Sequence, residues 1–222
     1  MFDKRVTLFM GHYGSGKTFT AVNYAIALKK LGKKVSLYDL DIVNPYFRTV
    51  DAADMLKKAG VNLIASPYAE TNVDIPAMNS ESYRMTDEKE EYAVVDVGGD
   101  DRGALALGRF SEKLKEENDY DALFVLNCFR PETKNIESAI TIMKEIETVS
   151  RMPFTGIVNC ANLGEETTEN EVEKGEKFAY EFSQKTGLPI KFTAISADVI
   201  AEKFKNRKNV LKIEPIKYVN RI

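Results

Sequence analysis

The segment RVTLFMGHYGSGKTFTAVNYAIALKKLG, residues 5–32, joins three local signals in one order. The apolar run Val6–Met10 reads as a buried strand. A helical pattern starts at Lys17 and stops at Gly32. Between them stands Gly11-His12-Tyr13-Gly14-Ser15-Gly16-Lys17-Thr18, which has the spacing Gly-x4-Gly-Lys-Thr. Strand, loop and helix in this order make a phosphate cradle. Its glycines let backbone N–H groups turn inward, and the helix adds its positive end. The Lys17 ammonium can reach β- and γ-phosphates from the mouth of the site, outside the core. The Thr18 hydroxyl can complete a magnesium shell. Residues 11–18 with Phe19 are therefore the expected nucleotide contacts, with Mg2+ beside the phosphates. His12, the chain's one histidine, is an unexpected member of such a loop.

Working outward, short apolar runs alternate with longer helical patterns. After residues 5–32 come the strands KVSLYDL, VNLIAS, YAVVDVGG, DALFVLNC, FTGIVNCAN and IKFTAIS. Helical patterns lie in TVDAADMLKKAG, ETKNIESAITIMKEIETVS and NEVEKGEKFAYEFSQKTG. The alternation predicts an α/β fold of three layers, a mostly parallel sheet with helices on both faces. With no Gly- or Pro-rich linker and no repeat, residues 1–222 read as a single domain, its last clear strand being IKFTAIS. The acidic stretches TDEKEEY and NLGEETTENEVEKGE read as solvated surface.

A magnesium–nucleotide site needs carboxylates at the carboxyl edge of the sheet. Two strand ends supply them: LYDLDIVNP carries Asp39 and Asp41, and VVDVGGDDRG carries Asp96, Asp100 and Asp101. Asp96 closes an apolar run, as an acid near magnesium would. Gly98 and Gly99 then offer mobile N–H groups to a γ-phosphate. Asp39 and Asp41 also fit a turn, and Asp100 and Asp101 read as solvated. Arg130, at the end of another strand, is a candidate to bind a phosphate or pair with a carboxylate, against the plainer reading of a surface arginine; Arg48 and Arg102, beside the two acidic loops, stand likewise.

Composition narrows the classes. The chain has 222 residues, of which 44% are hydrophobic and 29% charged, as in a water-soluble globular protein. A net charge of -3 gives no general basis for nucleic-acid binding. Cys128 and Cys160 show neither metal-ligand spacing nor a disulfide framework. No apolar window is long enough to span a membrane, so a cytoplasmic protein is expected.

Together these motifs resemble the MinD/ParA-type ATPases of the SIMIBI class of P-loop proteins, including the nucleotide-binding domains related to cobyrinate synthetases. The resemblance runs from Val6 to about Lys203 and rests on GHYGSGKT, LYDLDIVNP, VVDVGG, FVLNCFRPETKN and TGIVNCAN. It implies a role for each matching position. Lys17 binds phosphate, and Thr18 ligates magnesium with Asp39 and Asp96 in or near its shell. Asp41 positions the attacking water, Gly99 donates to the γ-phosphate, and Asn159 contacts adenine. Many of these ATPases carry a lysine where this chain has His12, and that lysine reaches a partner's phosphates across a dimer. His12 either donates a hydrogen bond to phosphate or merely packs on the loop, and Tyr13 either stacks on a ligand or faces water. The implied function is an ATP-hydrolysing switch, with ATP/ADP, a nucleotide-dependent homodimer and an unidentified protein as partners. An ATP-dependent small-molecule ligase or kinase on the same fold is the alternative, with residues 66–85 as the wall of its pocket.

Overall fold

The computed structural model describes residues 1–40, 52–65, 80–99, 101–200 and 202–216. Its strands are β1 (Val6–Met10), β2 (Val35–Leu40), β3 (Asn62–Ala65), β4 (Tyr92–Val97), β5 (Tyr120–Leu126), β6 (Gly156–Asn159), β7 (Ile190–Ser196) and β8 (Val210–Ile213). They form one sheet in the order β3-β2-β4-β1-β5-β6-β7-β8, and every neighbouring pair is parallel. The helices are α1 (Lys17–Lys30), α2 (Ala53–Ala59), α3 (Arg84–Asp87), α4 (Asp101–Gly108), α5 (Ser111–Glu117), α6 (Ile136–Ser150), α7 (Glu169–Thr186) and α8 (Glu202–Lys205).

The central strands are buried on both faces, which is why they read as continuous apolar runs rather than alternating ones. Alternate residues feed two cores. Phe9, Leu37, Val94, Val125 and Val158 pack under α1 and α2. Leu8, Tyr38, Val95, Phe124 and Ile157 pack under the helices α4 to α7. Three layers result, as the β-α alternation predicts. β1 lies between β4 and β5, where the strand order reverses, and its carboxyl end opens into residues 11–16. That is the ligand position of an open α/β sheet.

The structure corrects the sequence reading in three places. β8 extends the sheet beyond β7 through Thr193, Ala194, Ile195 and Ser196. α6 starts four residues later than its helical pattern: a 3-10 turn occupies Pro131–Thr133, and Asn135 then caps α6 by accepting from Ser138 N at 2.9 Å. In the stretch 86–92, Glu91 is buried, not solvated; it accepts from Ser36 Oγ at 2.7 Å and from Arg84 at 3.1 Å.

Candidate functional site

The loop turns from β1 into α1 on backbone that favours glycine: φ is 73° at Gly14 and 94° at Gly16. A side chain in this region costs about 1–2 kcal/mol. Gly16 has a second reason, because a Cβ there would stand 2.5 Å from Cys160 Sγ. Gly11 is confined likewise, its absent Cβ falling 2.7 Å from Val125 O. α1 begins without a capping side chain and without an acid in its first turn. Its first N–H groups and positive end therefore face the loop.

Two donors of the loop converge on one oxygen. Lys17 Nζ donates to His12 O at 3.1 Å, and Ser15 N–H donates to the same carbonyl at 3.2 Å. Lys17 is 5% exposed, so it lies on the floor of the loop and not at its mouth. The cause is its place as the first helical residue, whose side chain points back along the axis beneath the loop. Thr18 is buried beside it, and Phe19 packs partly into the core under α1. Ser15 Oγ is buried and has no hydrogen-bond partner among the described residues. The His12 ring turns to its own chain: Nδ1 lies 3.3 Å from Tyr13 O and 3.7 Å from Glu132 Oε2. Tyr13 is exposed.

The acids arrive from the adjacent strands. Asp39 on β2 and Asp96 on β4 are in register, and Phe9 on β1 is in register with Asp96. Alternation from Leu37 and Val94 puts both carboxylates on the α1 face, where Lys17 and Thr18 begin the helix. They are 7% and 0% exposed. Two buried carboxylates side by side call for a cation, so this set fits magnesium. After β4 the backbone lies on the loop itself: a Cβ on Gly99 would come 2.8 Å from Tyr13 N and 3.0 Å from Lys17 Nζ. Asp41, Arg48 and Asp100 lie outside the described residues, as do the side chains of Asp101 and Arg102 and most of residues 66–85.

On the other side of the loop, two strand ends are stapled by amides that the sequence reading did not single out. Asn127, fully buried after β5, donates through Nδ2 to Asn162 O at 3.0 Å, and its Oδ1 accepts from Phe129 N at 3.1 Å and from Asn162 N at 3.4 Å. An amide just past a buried strand was the available signal, since such residues bond to nearby backbone. Asn159 is buried at the end of β6, with its amide against Gly175 of α7. Its Nδ2 has no hydrogen-bond partner among the described residues. Arg130, expected to bind a phosphate or pair with a carboxylate, donates through Nε to Gly14 O at 2.8 Å. Burial pushes the Cys160 thiol up, and hydrogen bonds from Thr20 and Asn162 offset this only in part. Cys128 is raised by burial as well.

Among the described residues no helix is long and apolar enough to cross a membrane. The sequence profile of the CobQ/CobB/MinD/ParA nucleotide binding domain matches residues 7–168. No curated protein matches the chain. Among solved structures, the chain is similar to cell division protein FtsY of Thermotoga maritima, with TM-score 0.57 and 18% identity over 86% of this chain and 61% of that one. It is similar also to chloroplast FtsY of Physcomitrella patens, with TM-score 0.55 and 19% identity over 85% and 57%. A third likeness is to the signal recognition particle receptor FtsY of Elizabethkingia anophelis, with TM-score 0.54 and 18% identity over 97% and 62%. The chain thus spans about three fifths of the length of each of these proteins, and the likeness is one of fold.

Proposed function

Because the chain belongs to the CobQ/CobB/MinD/ParA nucleotide binding domain family, we propose that it binds ATP with magnesium through residues 11–18, hydrolyses it, and thereby switches the segments 39–49 and 96–103. The observation that carries this reading is the Asp39–Asp96 pair, buried in register on the same face as Lys17 and Thr18. In the cradle, the N–H groups of residues 13–18 and the Lys17 ammonium bind the phosphates. The Thr18 hydroxyl, with Asp39 and Asp96 on the same face, would hold magnesium, which would supply charge screening for the phosphates. Gly99 offers its N–H to the γ-phosphate, and Asp41 orients water. Adenine is the proposed base. Asn159 offers a buried amide donor, and an amide rather than a carboxylate stands at Asn162, so that position supplies no acid for the two donors of guanine. The output of the switch is docking to a protein partner or to a second copy of the chain.

The test is calorimetry with Mg–ATP and Mg–GTP, together with phosphate release over time. Saturable ATP binding, weaker GTP binding and slow phosphate release support the proposal. Absence of saturable nucleotide binding overturns it. ADP release that requires an added small carboxylic acid would favour a ligase or kinase over a switch.

A further inference from the structure

The turn after β5 grips the phosphate loop from outside. Arg130 Nε donates to Gly14 O at 2.8 Å. The Nε, Cζ and Cδ atoms of Arg130 stand 3.3, 3.5 and 3.6 Å from the place a Gly14 Cβ would take, so the guanidinium packs directly on this glycine. Arg130 is itself fixed. Its N–H donates to Asn127 O at 3.2 Å, Thr133 N donates to Arg130 O at 3.0 Å, and Thr133 Oγ1 donates to Asn127 O at 2.6 Å. Asn127 is braced in turn across to Asn162. The donor therefore comes from a platform tied to both β5 and β6. Glu132, two residues on, faces the His12 ring at 3.7 Å, so the same turn touches the loop at a second point.

A trans peptide is planar, and its carbonyl and N–H point in opposite directions. In the Gly14–Ser15 peptide, the carbonyl is drawn out to Arg130 while the Ser15 N–H points in, to His12 O. Glycine permits this peptide to turn over at little cost. A charge-assisted hydrogen bond to its carbonyl selects one sense. We propose that Arg130 is a positioning residue of the phosphate loop: it holds the Gly14–Ser15 peptide with the N–H facing the anion, so that the cradle is formed before a nucleoside diphosphate or triphosphate enters. The proposal rests on reading residues 11–18 as a nucleotide-phosphate site.

The test uses the full chain and two variants of similar side-chain length. Arg130→Met keeps the stem and removes every donor; Arg130→Gln restores a neutral donor. One readout is amide hydrogen exchange across residues 11–17 without nucleotide. The other is calorimetric titration with Mg–ADP, which reports the loop without a γ-phosphate. Arg130→Met is expected to speed exchange at Ser15 by roughly 10-fold, with α6 and α7 unchanged, and to weaken Mg–ADP by roughly 10- to 100-fold. Arg130→Gln is expected to recover the exchange protection and most of the affinity. Unchanged exchange in Arg130→Met overturns the proposal. So does an Arg130→Gln protein whose exchange is restored while ADP binding stays as weak as in Arg130→Met, because the guanidinium charge would then act on the phosphate directly. If wild type binds no nucleotide, the phosphate-site reading fails, and the exchange experiment still decides whether Arg130 orders the loop.

Discussion

Replacing Gly99 by alanine forces a methyl group between the segment after β4 and the phosphate loop. A Cβ on Gly99 would lie 2.8 Å from Tyr13 N, 3.0 Å from Lys17 Nζ and 3.1 Å from His12 C. Favourable carbon contacts begin near 3.5 Å, so the closest approach is short by about 0.7 Å. Two of the three obstacles are loop backbone, anchored through Gly14 O and His12 O. The segment after β4 therefore yields first. Overpacking costs about 1–3 kcal/mol, and a segment able to lift away sits at the low end, so urea unfolding should show a loss of about 1 kcal/mol. Function should suffer more. If the Gly99 N–H faces a γ-phosphate, displacing that one donor lowers the hydrolysis rate by about 100- to 1,000-fold. ADP lacks that phosphate, so Mg–ADP affinity should stay within about threefold, since only contacts made to the bound group count. Single-turnover phosphate release and calorimetry measure the two effects. Hydrolysis at the wild-type rate in Gly99→Ala would refute the steric argument. Loss of ADP affinity in parallel with hydrolysis would refute the claim that the loop stands firm while the segment moves.

Lys17→Ala should weaken Mg–ATP binding at least about 100-fold by calorimetry while the circular dichroism spectrum stays that of a folded protein. Gly175→Ala should destabilise the protein by about 1–2 kcal/mol in urea, although alanine is the better helix former by about 1 kcal/mol; a Cβ there would overlap that of Ala161 and stand 2.9 Å from Asn159 Oδ1, and a more stable variant would contradict this. Burial pushes the Glu117 carboxyl up, but hydrogen bonds from Lys89 and Arg5 outweigh it and hold the group below its usual value. The ionised form is therefore favoured by folding: its contribution is complete above the ordinary carboxylate range and is lost as pH falls below about 4.5. Glu117→Gln should flatten the stability profile in that acid window, measured by urea unfolding from pH 3 to 7. Both raised thiols, Cys128 and Cys160, should resist alkylation at neutral pH in the folded protein and react on unfolding, as mass spectrometry of quenched samples would show.

Much of the fold is legible because its signals are local. β1 and β7 carry the bounds read from their apolar runs, and Gly32, Gly60 and Gly187 end three helical patterns on left-handed backbone. What was not legible depends on partners distant in sequence. β8 is a four-residue strand followed by Pro215, and only its pairing with β7 makes it one. α5 buries Leu114 and Ser111 alone, too few positions to show a helical period. At the site, spacing placed Lys17 and Thr18 in the cradle and the strand ends supplied Asp39 and Asp96, but that the two acids share one face depends on the register of β2 with β4. Spacing could not show that Lys17 lies beneath the loop, because burial is set by how α1 meets the sheet. The Asn127–Asn162 staple and the Arg130–Gly14 bond cross between loops 35 and 116 residues apart in sequence, where no periodicity reaches.

The histidine in the loop is explained by its backbone before its ring. His12 O receives both the Lys17 ammonium and the Ser15 N–H. An entering phosphate oxygen offers the same two donors an anionic acceptor, and hydrogen bonds to a charged acceptor are roughly twice as strong as those to a neutral one. On the proposed function, the exchange would therefore keep the buried ammonium partnered throughout, and an unpartnered one would be costly. Any residue at position 12 supplies that carbonyl, so a histidine in place of the lysine of the ATPases this chain resembles leaves the exchange intact. What the replacement removes is a permanent outward charge. The imidazole instead lies 3.7 Å from Glu132 of its own chain, on the same turn that carries Arg130. A contact from His12 to a second copy's triphosphate would have to draw the ring away from that carboxylate first. The local geometry thus favours His12 as part of the brace around its own loop over a cation offered to a partner.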